Sequence, residues 1–342
     1  MTLIARGWRS LACWWQDAFF QEAPTTPLEV VRIGIGIALL LGYGLASANL
    51  FELHGMEGLV TPESARIWSN GRWSWSLLFL FTADWQVAVF QAVFLLACAA
   101  FTLGWQTRWA KWIVLVGHLS FVYRNPVAQY GVDSIFASTL FLLCLAPVGD
   151  SLSLDARRWP VGDADTLGTR ERRRRAWGFA CLRLIQLQVA VMFFFSGVEK
   201  VRGDAWWHGY AVWMALTNQE FSNVPIGWLA SHFWIVNLLT QGTMFFEVAY
   251  PFLIWGRATR PFFLVGAILL HLGMAVMMGL YLFSFVMIVV HLSFLRPEWL
   301  TAWASRRAVV PPQQEPEPLR PPAAAPPRPR SEIPSTSSRT RS

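Results

Sequence analysis

Apolar residues gather in eight long blocks, near positions 28–48, 85–104, 109–124, 133–149, 177–198, 232–256, 261–279 and 281–295. Between the blocks lie shorter runs rich in arginine, glycine, proline and polar residues. A stretch of about 20 apolar residues crosses a hydrocarbon core of about 30 Å as a helix. A helix also satisfies its own backbone N–H and C=O groups where no water can. The pattern predicts an all-α fold, a polytopic integral membrane bundle of about eight transmembrane helices. No internal repeat is evident.

The ends differ from the middle. Residues 1–22, with WRSLACWWQDAFF, suit an amphipathic segment lying at the membrane interface. They do not suit a secretory signal, because Arg6 and Arg9 precede a weak apolar run without a cleavage site. Residues 28–300 make the expected transmembrane domain. Beyond Arg306 the composition changes to PPQQEPEPLRPPAAAPPRPR and a Ser/Thr-rich end. Such a sequence cannot bury enough apolar surface to fold, so 308–342 is expected to be a disordered Pro/Arg/Ser-rich tail.

Composition sharpens this picture. Of 342 residues, 54% are hydrophobic and 14% are charged, against about 25% charged in soluble domains. Twenty tryptophans suit many helix ends at the lipid–water boundary. The net charge of +7 does not point to nucleic acid, because the arginines concentrate in a few loops and the tail. The expected partners are the bilayer and a lipophilic small molecule. Cys13, Cys98, Cys144 and Cys181 form no CxxC pair and read as small packing residues, not metal ligands.

The basic residues orient the bundle. With a cytoplasmic N-terminus, one side collects Arg6, Arg9, Arg108, Lys111, Arg157, Arg158, Arg170, Arg172 to Arg175, Arg257, Arg260, Arg296 and the tail arginines. The other side keeps Arg66, Arg72, Arg124, Lys200 and Arg202. This asymmetry follows the positive-inside rule. It predicts cytoplasmic termini and a plasma membrane location, the inner membrane in a bacterium. Two outer segments, 49–84 and 199–231, are longer than a connection requires and are expected to pack over the mouth of the bundle.

Ionisable side chains within the blocks are costly and face the bundle interior or a wet cavity. The set here is Glu29, Arg32, His118, Asp133, Arg183, Glu247, His271 and His291. Glu29 and Arg32, at i,i+3, are spaced for a local pair. Arg183 and Glu247 fall in the same half of the membrane by residue count, which suggests an ion pair. His271 and His291 sit at similar depth. Each suits either a hydrogen-bonded core histidine or a proton-transfer group. Arg183, Gln186, Ala190, Phe193, Gly197 and Lys200 recur at spacings of three and four, forming one small, polar stripe. Lys200 crowns that stripe where a long apolar helix meets water. A lysine there either snorkels to the interface or, if desolvated, gives up its proton and acts as a base.

Several segments resemble the HTTM domain, the membrane module of vitamin K-dependent gamma-carboxylase. They are Arg32 with the glycines after it, YRNPVAQYGVDSIFASTLFLLCLAPVGDSLSLD with Asn125, RLIQLQVAVMFFFSGVEKVRGDAWWHGYA with Lys200, and HLGMAVMMGLYLFSFVMI with His271 and Ser284. The resemblance implies that Lys200 is a base toward a quinone or vitamin K-type hydroquinone, with a carboxylase-like or quinol-dependent activity. It gives His271 a lesser catalytic candidacy. Three features depart from the carboxylase. Pro126 stands where it has a histidine, no large domain follows the helices, and GVEK replaces GVKK. Peptide γ-carboxylation is therefore not expected. The alternatives are a non-enzymatic export or resistance factor for a secreted peptide, or a structural subunit of a membrane complex.

Overall fold

A computed structural model describes residues 13, 15–68, 74–158, 168–221 and 223–295. Those residues are all-helical, without a strand. The helices are α1 (Thr26–Ala46), α2 (Leu50–His54), α3 (Pro62–Trp68), α4 (Asp84–Leu103), α5 (Thr107–Arg124), α6 (Gly131–Leu145), α7 (Leu154–Arg158), α8 (Thr169–Arg202), α9 (Asp204–Trp207), α10 (Ala211–Thr217), α11 (Phe233–Leu253), α12 (Arg260–Met278) and α13 (Tyr281–His291).

Each of the eight apolar blocks carries one helix of the bundle. Among the described residues, four segments are long and apolar enough to cross a membrane: 26–54, Asp84–Leu103, Thr169–Arg202 and Arg260–Met278. Gly131–Leu145 and Tyr281–Phe294 are apolar but shorter. α5 and α11 carry more polar residues, including Arg108, Lys111 and His118 on one and Asn237, Gln241 and Glu247 on the other. α8, with 34 residues, extends about 50 Å, well beyond a hydrocarbon core of roughly 30 Å. The tail at 308–342 lies outside the described residues, as does most of the segment at 1–22, of which 15–19 are helical.

α1 lies at the centre. Leu28, Val31, Ile35 and Leu39 are fully buried against Phe94 and Phe101 of α4 and Val289 and Val290 of α13. Between membrane helices such contacts stabilise through close packing, because lipid tails are as apolar as leucine. α8 pairs with α11. Their backbones meet at Gly197, where a Cβ would lie 2.9 Å from the Val248 amide nitrogen and 3.1 Å from the Glu247 carbonyl carbon. Only glycine permits that approach without a shift.

In their described residues, the two long segments 49–84 and 199–231 fold back on the bundle as short helices. α2, α3 and the loop between them are held by Arg124, which donates to the carbonyls of Val60 and Gly55. α9 and α10 sit on the end of α11 through Gln241 Nε2, which donates to the Trp206 and Trp207 carbonyls at 2.9 and 3.0 Å. A small apolar cluster of Leu216, Ile226, Leu229 and Val236 closes that end.

Candidate functional site

Lys200 lies two residues before the end of α8, and helical side chains lean toward their own N-terminus. Its ammonium therefore turns back along α8 and donates to Ser196 Oγ at 2.8 Å. Glu247 leans the opposite way, because α11 runs antiparallel to α8. The two side chains converge across the Gly197 contact, with Lys200 Nζ 2.7 Å from Glu247 Oε2. The side chains keep 18% and 9% of their exposure. The ammonium also lies 5.0 Å from the centre of the Trp206 ring. Although the charges touch, Glu247 Oε2 receives no well-directed hydrogen bond.

The expected Arg183–Glu247 pair does not form. Arg183 leans toward the N-terminus of α8, away from Glu247. Its Nε donates to the Ala18 carbonyl at 3.0 Å and its Nη1 to Gln186 Oε1 at 2.9 Å. Residue count places the two at one depth, but Glu247 packs beside Gly197, which puts Arg183 about 20 Å further along α8.

A layer of aromatic and polar groups lies one turn along α11 from Glu247. Tyr250 stacks on Phe193 with ring centroids 4.0 Å apart. His291 of α13 stands edge-on to both, at 5.6 Å from Tyr250 and 5.4 Å from Phe193. His271 of α12 lies 5.5 Å from His291. Each imidazole points Nδ1 at a carbonyl four residues earlier, His271 at Ala267 (2.7 Å) and His291 at Met287 (2.6 Å). A carbonyl only accepts, so in the neutral ring Nδ1 carries the hydrogen and Nε2 holds a lone pair. The Tyr250 hydroxyl, His291 Nε2 and Ser284 Oγ are buried without a partner.

The other expected site residues have structural partners. Asn125 Nδ2 donates to the Leu53 carbonyl at 2.7 Å, and its oxygen accepts from the Ala128 amide at 3.3 Å. Asp133 accepts from the Tyr130 amide at 2.8 Å and caps α6. Its own carbonyl lies 3.1 Å from His118 Nε2, whose Nδ1 meets the Tyr43 hydroxyl at 2.9 Å. Glu29 and Arg32 do not pair with each other. Glu29 receives the amides of Asp150, Ser151 and Leu152. Arg32 donates to the carbonyls of Phe101, Thr102 and Leu152. Their side chains have better partners in the backbone of the approaching loop and of the end of α4 than in each other.

Lys200, Glu247, His271 and Ser284 therefore belong to one end and interior of the α8, α11, α12 and α13 group. Arg32, Asn125, Asp133 and Arg183 do not. Tyr250, Ser196 and Trp206 had no place in the sequence-based set. Tyr250 had one available signal, its i,i+3 spacing from Glu247 on one face of α11. Among the described residues, no group of three or more His, Cys, Asp or Glu side chains is placed to hold a metal ion.

The HTTM domain matches residues 20–299, which include every one of these groups. The chain belongs to the HTTM domain family. Comparison with curated proteins and with solved structures finds no match. Membership and the apolar helices make this an integral membrane protein of the gamma-carboxylase-related family. The lysine on which the HTTM resemblance turned is the one that meets Glu247.

Proposed function

We propose that this HTTM protein binds a lipophilic molecule bearing an acidic hydroxyl, of the hydroquinone class, beside Lys200. The observation that carries the reading is the Lys200–Glu247 contact of 2.7 Å at the edge of an aromatic interior. Lys200 is then a base only together with Glu247. The carboxylate competes for any proton the amine accepts, so the pair takes the hydroxyl proton as a unit. The Lys200 ammonium is left facing the oxygen that has become anionic. The Trp206 ring above it and the Phe193 and Tyr250 rings below suit a flat, apolar ligand.

The arginine distribution supports eight crossings, cytoplasmic termini and a plasma membrane location, the inner membrane in a bacterium. Lys200 then opens to the outer side. A purely structural tie between α8 and α11 is the second reading. It is favoured by the contacts Lys200 already makes with Ser196 and Trp206.

Binding of tetramethylhydroquinone to the purified protein, measured anaerobically by equilibrium dialysis, separates the two. Lys200→Met and Glu247→Gln should each weaken binding by about tenfold or more, the scale of one charge-assisted hydrogen bond. Equal binding in both variants, with stability lowered, would leave only the tie. Mass spectrometry of lipids and quinones that co-purify identifies the native ligand.

A further inference from the structure

We propose that Tyr250 and His291, with His271 beside them, form a proton path leading from the Lys200–Glu247 pair into the bundle. This rests on the pair being the proton acceptor of the preceding reading. The path begins at Glu247 Oε2, which touches the ammonium but receives no directed hydrogen bond. Tyr250 is three residues along α11, a rise of about 4.5 Å. Its hydroxyl is fully buried and has no partner. His291 is next, 1% exposed, with Nε2 unpartnered and Nδ1 committed to Met287.

Buried polar atoms are nearly always hydrogen-bonded, to protein or to ordered water. Two unpartnered ones on rings in contact, the Tyr250 hydroxyl and His291 Nε2, mark a place for water or a transferred proton. The Tyr250 hydroxyl and the His291 Nε2 lone pair are a donor and an acceptor on rings 5.6 Å apart that do not bond each other, so one bridging water completes the unit of a relay. The titratable side chains facing His291 are Tyr250 and His271, with Glu247 and Lys200 beyond them.

The steps balance without a further reactant. The ligand O–H bond breaks and an O–H bond forms on Glu247. That bond then breaks, and an N–H bond forms at His291 Nε2 through the Tyr250 hydroxyl or a water beside it. Glu247 returns to carboxylate beside Lys200, and the electron pair stays on the ligand oxygen.

Solid-state NMR of full-length protein, ¹⁵N-labelled at histidine in phosphatidylcholine vesicles, distinguishes neutral from protonated His291. The signal is assigned by its loss in His291→Gln. Tetramethylhydroquinone should convert His291 to the imidazolium form in wild type and not in Glu247→Gln. Tyr250→Phe should slow that conversion by about tenfold or more, within the range of a positioned proton-transfer group. If the probe binds and His291 stays neutral, the relay is wrong and the proposed function stands. If the probe does not bind but His291 follows the outer pH through Glu247, the ligand is wrong and the relay stands. If neither occurs, both fail.

Discussion

Two clusters of buried charge lie at opposite ends of this bundle, and they are built differently. At the N-terminal end of α1, Glu29 takes amides from Asp150, Ser151 and Leu152, and Arg32 gives hydrogens to three carbonyls. Both side chains are fully buried. The cluster ties α1 to the α4–α5 turn and the loop after α6. Gly104 is left-handed there, at φ 72°, and a Cβ on it would strike Ser153. At the far end of α8, Lys200 and Glu247 touch each other, while the layer below them leaves a hydroxyl and an imidazole nitrogen without partners. The closed cluster leaves one buried side-chain atom, Arg32 Nε, without a partner, whereas the open end leaves Glu247 Oε2, the Tyr250 hydroxyl, His291 Nε2 and Ser284 Oγ. The degree of satisfaction, more than burial or charge, separates the two regions.

The largest effect is expected at the closed cluster. Arg32→Met removes the donors to Phe101, Thr102 and Leu152 and leaves Glu29 charged nearby. Removing one member of a buried charged network costs roughly 3–5 kcal/mol. Expression in the membrane and the melting temperature in detergent should both fall sharply. A loss no greater than that of Lys200→Met would erase the distinction between the clusters.

Asp150 gives the closed end a pH signature. Burial pushes its carboxyl up from 3.8 to about 6, helped by the nearby charge of Glu29 and opposed by Arg174. Between those values the folded protein holds a proton that the unfolded chain releases. Stability should therefore fall as pH rises through the window, by up to about 3 kcal/mol at about 1.4 kcal/mol per unit. Asp150→Asn should flatten the slope. Asp155 runs the other way. Burial opposes its charge, but hydrogen bonds from Thr107 and Gln106 outweigh that and lower its pKa. Its contribution is present at neutral pH and is lost in acid. Thermal melts across pH read both, and an unchanged slope in Asp150→Asn would reject the assignment.

The helices were legible because apolar block length is a one-dimensional property. All eight blocks hold a helix, and the polar stripe on α8 places Gln186, Ala190, Phe193 and Gly197 in the interior. Partner choice was less legible, because it depends on register and lean between helices. Arg183 and Glu247 match by residue count, yet the register of α8 against α11 sets Glu247 beside Gly197, about four turns from Arg183. Glu29 and Arg32 match by i,i+3 spacing, yet Glu29 takes amides of loop 149–153 and Arg32 donates to carbonyls of α4 and of that loop, whose approach no local pattern encodes. The role of Tyr250 depends on the ring of Phe193 and the imidazole of His291, from two other helices.

At the open end the expected loss is smaller. Glu247→Gln leaves the Lys200 ammonium facing a neutral amide, but 18% of that side chain still reaches solvent. The cost should be about 2 kcal/mol, below the roughly 3–5 kcal/mol of a fully buried pair. Adding Lys200→Met should recover part of it, because the second substitution removes the stranded charge. A double-mutant cycle with Arg183→Gln in place of Lys200→Met should show no coupling. Coupling to Arg183 instead of Lys200 would make Arg183 the partner of Glu247.

The smallest effect carries the sharpest contrast. Tyr250 is fully buried, and an ordinary buried tyrosine loses stability when its hydroxyl is removed, because the partner group is stranded. Here the hydroxyl has no partner to strand. The stacking on Phe193 at 4.0 Å and the edge contact with His291 at 5.6 Å belong to the ring, which phenylalanine retains. Tyr250→Phe should therefore leave the melting temperature unchanged or raise it slightly, within about 0.5 kcal/mol. The matching change at the closed cluster, Glu29→Gln, strips charge from an acceptor of three amides and should cost several times more. A clear loss for Tyr250→Phe would mean that its hydroxyl is held as firmly as Glu29, and the open end would then be architecture as well.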